Sequence, residues 1–298
     1  MTSTETKTLP AETRVFAIAA AVAVALLGPV SLPIPFAVQV TVLAAAVVVL
    51  GLPHGSLDPW IARRAGLYRR GAGWVGFNLA YLALAGLVLL AWWFSPGPAL
   101  ALFLGISAWH FSGDWDGRLA PWQRLLAATA LLSMPALFHP QSVSDIFAVL
   151  SGTAGRAVAE GLRIVGMGAL GGLAVVMVMA ARQKQHSVFI ELGALAVLAA
   201  VAPPLVYFTL YFCLLHSPRH LSSVFRQAAP EERPGLAVDA TVYTLATLAL
   251  AGLIAFFALP GADLGRLGLQ LVFIGLAALT VPHMALMYWV ERKQALGT

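Results

Sequence analysis

The stretch PFAVQVTVLAAAVVVLGLPH, residues 35–54, contains no Asp, Glu, Lys or Arg and closes on a proline and a histidine. An α-helix needs about 20 mostly apolar residues to cross the hydrocarbon core of a bilayer, whereas a barrel strand would read as ~10-residue segments of alternating polarity. The run therefore predicts a membrane helix, with polar chemistry at its end. Similar runs recur along the chain, approximately at 14–30, 74–94, 98–112, 123–138, 161–181, 188–202, 204–217, 237–259 and 268–290. Composition agrees: of 298 residues 60% are hydrophobic and only 10% charged, against roughly 25% charged in an ordinary soluble domain. The expected fold is an all-α polytopic transmembrane bundle, one integral membrane domain over residues 1–298 with a polar tail at 1–13. The run from Phe16 to Val30 has no small-residue cleavage site and is followed at once by another span, so it reads as a retained helix.

Several runs are short. Those ending at Ser112 and Phe138, and the pair broken by Pro203 and Pro204, fall below ~17 residues, which suits tilted, re-entrant or half-length helices and brackets the count at eight to ten. Positive charge favours ten. With the N-terminus inside, Lys7 and Arg70 and the other basic residues collect in cytoplasmic segments, and of the 18 Lys and Arg only Arg156, Arg163 and Arg266 fall elsewhere. Both termini are then cytoplasmic, in the cell (inner) membrane. The net charge of +5 is carried by short loops and not by a basic, aromatic-rich cluster, so it marks topology and not nucleic-acid binding. The lone Cys213 excludes intramolecular disulfides and a Cys-held iron–sulfur cluster, and its apolar setting predicts a buried thiol. Gly168 and Gly172 form a GxxxG pair that would let two helices approach closely.

Seven histidines are present. In the ten-span topology His54, His110, His216, His220 and His283 all lie on spans running from outside to inside, in their cytoplasmic halves, whereas His139 and His186 fall in loops. One histidine at a helix end can simply bond a carbonyl or a headgroup. Five in one leaflet point to a shared site, because buried polar groups in a membrane are costly and pair or bind something. His216 and His220 stand as HxxxH in HSPRH, which puts both rings on one helix face, and Pro218 between them predicts a kinked or unwound segment. His54 and Asp58, and His110 and Asp114, each form HxxxD, where the carboxylate can accept the spare ring N–H of a ligand histidine, ligate directly, or merely balance nearby arginines. Imidazole donors suit Zn, Cu, Fe and Ni, and a site spread over several spans is unlike a closed structural zinc. Trp109, Phe111, Tyr207, Tyr211, Phe212 and Tyr288 are candidate walls of a slot for a flat apolar substrate, with core packing or an interfacial aromatic belt as the plainer reading. Glu191 reads as interfacial.

GLPHGSLD around His54, WHFSGD around His110, FCLLHSPRHL around His216 and His220, and VPHMALMYW around His283 together resemble the Brp/Blh family of membrane β-carotene 15,15'-dioxygenases, in motif order from about Val48 to the C-terminus. The resemblance implies cleavage of the central double bond of β-carotene by O2 to two all-trans-retinal, with Fe(2+) held by His54, His110, His216 and His220 as the catalytic centre. Asp58, Asp114 and His283 fall to support of those ligands or to the substrate pocket. It also implies a functional link to a microbial rhodopsin supplied with retinal. Two other classes fit the same features. A di-iron membrane hydroxylase or desaturase usually needs eight or more histidines, and two metals per chain would mark it. A carotenoid- or retinal-binding membrane protein or transporter would bind or move its ligand without consuming O2.

Overall fold

The computed structural model describes residues 9–28, 34–69, 71–258 and 263–295, and Lys7 and Arg70 lie outside them. Among the described residues every regular element is helical. In chain order these are α1 (Ala11–Leu27), α2 (Phe36–Ala46), α3 (Leu52–Gly55), α4 (Asp58–Arg64), α5 (Ala72–Phe94), α6 (Pro96–Ser112) and α7 (Pro121–Phe138). They continue with α8 (Pro140–Ser151), α9 (Thr153–Arg182), α10 (His186–Val201), α11 (Pro204–Tyr211), α12 (Ser217–Gln227), α13 (Arg233–Ala258) and α14 (Leu264–Ala295). Short 3₁₀ turns follow α6 and precede α13, and π-helical turns at Val47–Gly51 and Phe212–His216 join α2 to α3 and α11 to α12.

Each predicted apolar run falls on a helix, and prolines punctuate the starts. Pro96, Pro121, Pro140 and Pro204 occupy the first helical position, where the missing N–H is not needed and φ is already set. α8 was not foreseen: His139 and Pro140 end α7 and begin a new helix, and Gly152, at φ 63°, turns the chain into α9. α1 begins at Ala11, inside the segment read as a polar tail, and Thr13 is buried.

Five helical stretches are long and apolar enough to cross a membrane: Phe36–Arg64, Ala72–Phe94, Thr153–Arg182, Pro230–Phe257 and Leu264–Lys293. Their outer surfaces are those of a membrane protein. α5 buries only Trp92, while Leu79, Leu82, Leu87, Trp93 and Phe94 all face outward. An apolar surface of this extent would drive aggregation in water and is at home in lipid, where the helical backbone already satisfies its own polar groups.

Shorter helices supply much of the interior, although α1 and α6 also turn Ile18, Leu26 and Leu102 outward. α10 turns Val188, Glu191, Leu192, Leu195 and Leu198 inward at helical spacing, and one large core joins residues of α1, α2, α6, α7, α9, α10, α11 and α14. α9 lies against α7 through two glycines. A Cβ on Gly172 would come within 2.1 Å of Leu126 Cδ2, and one on Gly166 within 3.1 Å of the Ser133 carbonyl, whereas Gly168 faces open space. The close approach therefore runs through Gly166 and Gly172, so that of the GxxxG pair only Gly172 takes part. Cys213 is buried, as its surroundings predict.

Candidate metal centre

The two π-helical turns share a cause. A proline cannot donate to the carbonyl four residues back, and its ring clashes there. Pro53 and Pro218 each follow a π turn, in which Leu52 N–H donates to the Val47 carbonyl and Ser217 N–H to that of Phe212, each five residues back. The widened turns meet face to face at Gly51, where a Cβ would lie 2.7 Å from Phe212 Cε1. Phe212 in turn stacks on His216, with ring centroids 5.5 Å apart and planes 20° from parallel, and sets its edge against His54 at 5.6 Å. The unwinding expected at Pro218 is present, and Pro53 has produced a second instance on the other side of the site. Such bulges recur at functional sites because they re-aim side chains without breaking the helix.

All five candidate histidines converge. His54 comes from α3, His110 from α6, His216 from the end of the second π turn, His220 from α12 and His283 from α14, directly after Pro282. His110 Nε2 and His216 Nε2 are 3.1 Å apart, and one ring nitrogen from each of His54, His110 and His216 lies within 4.8 Å of the others, a group that could hold a metal ion. His220 and His283 complete the ring of imidazoles. The His220 centroid is 5.6 Å from His54 and 5.3 Å from His283, and His283 lies 5.1 Å from His110. His139 and His186 are not among these contacts; His186 is exposed but opens α10 instead of lying in a loop, and His139, at the junction of α7 and α8, is half-buried with its Nε2 enclosed.

The Nδ1 atoms show which way the donors face. His54 Nδ1 bonds the Gly51 carbonyl and has Ser217 Oγ at 3.2 Å. His216 Nδ1 donates to Asp114 Oδ1 at 3.0 Å, and His283 Nδ1 to Asp58 Oδ1 at 2.8 Å. Each bond assigns the proton to Nδ1 and leaves the Nε2 lone pair free. Nε2 of His220 and Nε2 of His283 are buried without any hydrogen-bond partner, which buried polar atoms avoid unless something fills the gap. Ring nitrogens of His54, His110 and His216 within 4.8 Å of one another, with two buried carboxylates behind the cluster, suit a divalent transition metal. The residues fit such a group.

The two aspartates correct the HxxxD reading in one respect. Neither serves the histidine of its own motif: Asp114, in the motif of His110, supports His216, and Asp58, in the motif of His54, supports His283.

A cavity of about 750 Å³ adjoins the cluster, and His54, His110 and His283 form part of its wall. The remaining lining is almost wholly apolar and includes Phe111, Phe208, Phe212, Phe273 and Tyr207. On α5 and α13 the wall contains Leu82, Trp93 and Leu250, which are also exposed on the outer surface, so the cavity opens sideways between these helices. Trp74 Nε1 donates to the Tyr243 hydroxyl at 3.0 Å and ties α5 to α13 at one end of the opening. Of the aromatic residues singled out in the sequence, Phe111, Tyr207 and Phe212 line the cavity. Trp109 and Tyr288 instead project outward, 63% and 61% exposed. Tyr211 is withdrawn from the wall and donates to Asp114 Oδ2 at 2.6 Å.

Glu191, read as interfacial, does not face solvent. It is fully buried and accepts from Thr13, Trp115, Arg118 and Arg219. Tyr81, which donates to Asp58 Oδ2 at 2.8 Å, was passed over in the sequence. As a hydroxyl in the middle of the apolar run of α5, it carried the signal that polar groups at membrane depth are there for a reason.

The family model for beta-carotene 15,15'-dioxygenase matches residues 45–291. The chain belongs to this family. It is 34% identical to a beta-carotene 15,15'-dioxygenase of the uncultured marine bacterium 66A03, over 84% of this chain and 94% of that protein. It is 31% identical to a probable beta-carotene 15,15'-dioxygenase of Halobacterium salinarum, over 85% of this chain and 84% of the relative. No solved structure matches. The matched region takes in every histidine of the cluster, from His54 to His283.

Proposed function

We propose that this protein is an iron-dependent dioxygenase that splits the central 15,15' double bond of β-carotene with O2, giving two molecules of all-trans-retinal. The observation that carries the reading is the apolar cavity, open sideways between α5 and α13, with three histidines of the cluster in its wall. β-Carotene is an apolar polyene confined to the bilayer and needs a lateral entrance. In the net reaction one C=C bond breaks and each former alkene carbon takes one oxygen atom as an aldehyde.

His54, His110, His216 and His220 would hold Fe(2+). A ferrous centre with only neutral imidazole donors supplies activation of O2. The chain's own residues do the rest. Asp114 and Tyr211 hold the His216 ring in its tautomer, and Phe111 and Phe212 fix its plane by edge and face contact. The apolar wall excludes water from the polyene, and the lateral opening lets retinal return to lipid. The topology that suits this chemistry has ten spans in the inner membrane, carried by α1, α2–α3, α5, α6, α7, α9, α10, α11–α12, α13 and α14. Both termini and the metal are then on the cytoplasmic side, and the product is delivered where a microbial rhodopsin could take it up.

The test is pigment and retinal content in cells that make β-carotene. Intact protein should bleach the cells and produce retinal, while His216→Ala should do neither at equal expression. Unchanged β-carotene with well-expressed, iron-loaded protein would refute the assignment.

A further inference from the structure

Two of the five imidazoles are supported by the same device, built from unrelated parts of the chain. Tyr211 donates to Asp114 Oδ2 at 2.6 Å, and Asp114 Oδ1 accepts from His216 Nδ1 at 3.0 Å. Tyr81 donates to Asp58 Oδ2 at 2.8 Å, and Asp58 Oδ1 accepts from His283 Nδ1 at 2.8 Å. The atoms and the order are the same, and both carboxylates are buried. A carboxylate behind an imidazole fixes the Nδ1–H tautomer and raises the basicity of Nε2, and the tyrosine neutralises part of the carboxylate's own burial cost. Supporting His283 in this way has no purpose if its Nε2 has nothing to bind. That atom is buried and unpartnered, its ring sits 5.1–5.9 Å from those of His110, His220 and His54, and it forms the cavity wall together with His54 and His110.

We propose that His283 is a further ligand of the same metal, through Nε2, and that Tyr81 and Asp58 are the residues that position it. The inference rests on the reading of the cluster as a metal site. It adds a donor from α14, the helix that also lines the cavity, so the metal would tie α14 to the helices bearing the other four histidines.

The experiment uses full-length protein in detergent, stripped with chelator and titrated with Co(II) and with Fe(II), reading affinity and the Co(II) ligand-field spectrum; folding is checked by elution profile and circular dichroism. His283→Gln should bind more weakly and change the spectrum. Asp58→Asn leaves the ring in place and should lower affinity about 10–100-fold, as outer partners of metal-bound histidines do; Tyr81→Phe should lower it less. A folded His283→Gln protein with the parent's affinity and spectrum, while His216→Ala loses both, would overturn the proposal and leave the metal centre standing. A parent that takes up neither metal would bring down the metal reading and this inference with it. Where His283→Gln fails to fold, Asp58→Asn decides, and unchanged affinity and spectrum there would count against it.

Discussion

Glu191 provides the sharpest test of how the site is held. Its carboxylate is fully buried on α10 and accepts from Thr13 at 2.6 Å, Trp115 at 3.0 Å, Arg118 at 3.1 and 3.3 Å and Arg219 at 2.6 Å. Arg219 lies within HSPRH, between His216 and His220, and also donates to the Asp114 carbonyl at 3.0 Å. One anion thus joins α1, α10, the turn after α6 and α12, which carries His220. Glu191→Ala leaves two guanidinium groups without their main partner, one of them largely buried, and breaking a buried pair from one side costs about 3–5 kcal/mol. Glu12, 3.7 Å from Arg219, offsets part of that charge, and the stranded Thr13 and Trp115 donors work the other way, at about 1–3 kcal/mol for each unpaired group. The net expectation is a loss of about 3–5 kcal/mol, a large share of a typical folding margin of roughly 5–15 kcal/mol. Thermal unfolding in detergent should show it as a lowered Tm, at about 2–4 °C per kcal/mol, and metal retention should fall with it because Arg219 no longer holds the segment that carries His216 and His220. Glu191→Gln, which keeps the shape and an acceptor oxygen, should fall between parent and Ala. A Glu191→Ala protein within about 1 kcal/mol of the parent, with full metal content, would show that neither stability nor histidine placement depends on this network.

Removing metal with chelator should lower Tm reversibly; at a free metal concentration 100 times Kd the bound ion contributes about 2.7 kcal/mol, and an unchanged melting curve would contradict a resident metal. Gly155→Ala should destabilise by about 1–3 kcal/mol or more, since its Cβ would come within 2.0 Å of the Phe147 carbonyl oxygen on α8, whereas Gly168→Ala, facing open space, should melt within about 0.5 kcal/mol of the parent. Leu250→Trp narrows the opening on α13 and should slow β-carotene turnover roughly 10-fold or more with metal content unchanged; full turnover would place the substrate entrance elsewhere.

The helices and the histidine cluster were legible in the sequence because each leaves a one-dimensional mark. An uncharged run such as residues 35–54 has few structural solutions in lipid, and five histidines at matched depth have few explanations apart from a common site. Pairings across the bundle leave no such mark. HxxxD suggested that Asp58 and Asp114 would serve their neighbours, but the helix ends between the two members of each motif, with His54 on α3 and Asp58 opening α4, and His110 on α6 and Asp114 in the 3₁₀ turn after it, so each carboxylate meets a histidine from another helix. Glu191 read as interfacial because it stands early in its apolar run, and its partners come from sequence positions as distant as Thr13 and Arg219. Trp109 and Tyr288 were grouped with the cavity by nearness to His110 and His283, yet on a helix Trp109 lies about 100° round from His110, and Tyr288, five residues on, about 140° round from His283, so both face outward.

The distribution of prolines gives the architecture its logic. A regular helix presents side chains only along fixed stripes, and five regular helices would aim few imidazoles at one point without spreading apart. Pro53, Pro218 and Pro282 each lie within two residues of a cluster histidine, and two of them sit just past π turns that widen the helix and turn the ring inward. In water such breaks would expose backbone groups that solvent could satisfy. In lipid they are tolerable only where protein or a cavity surrounds them, and here Gly51 and Phe212 close the two turns against each other. Replacing Pro53 or Pro218 by Ala removes the reason for the π turn. A gain in helix stability with a loss of metal affinity is the expected pairing, and a variant that gained the first without losing the second would show that the turns are not what aims His54 and His216.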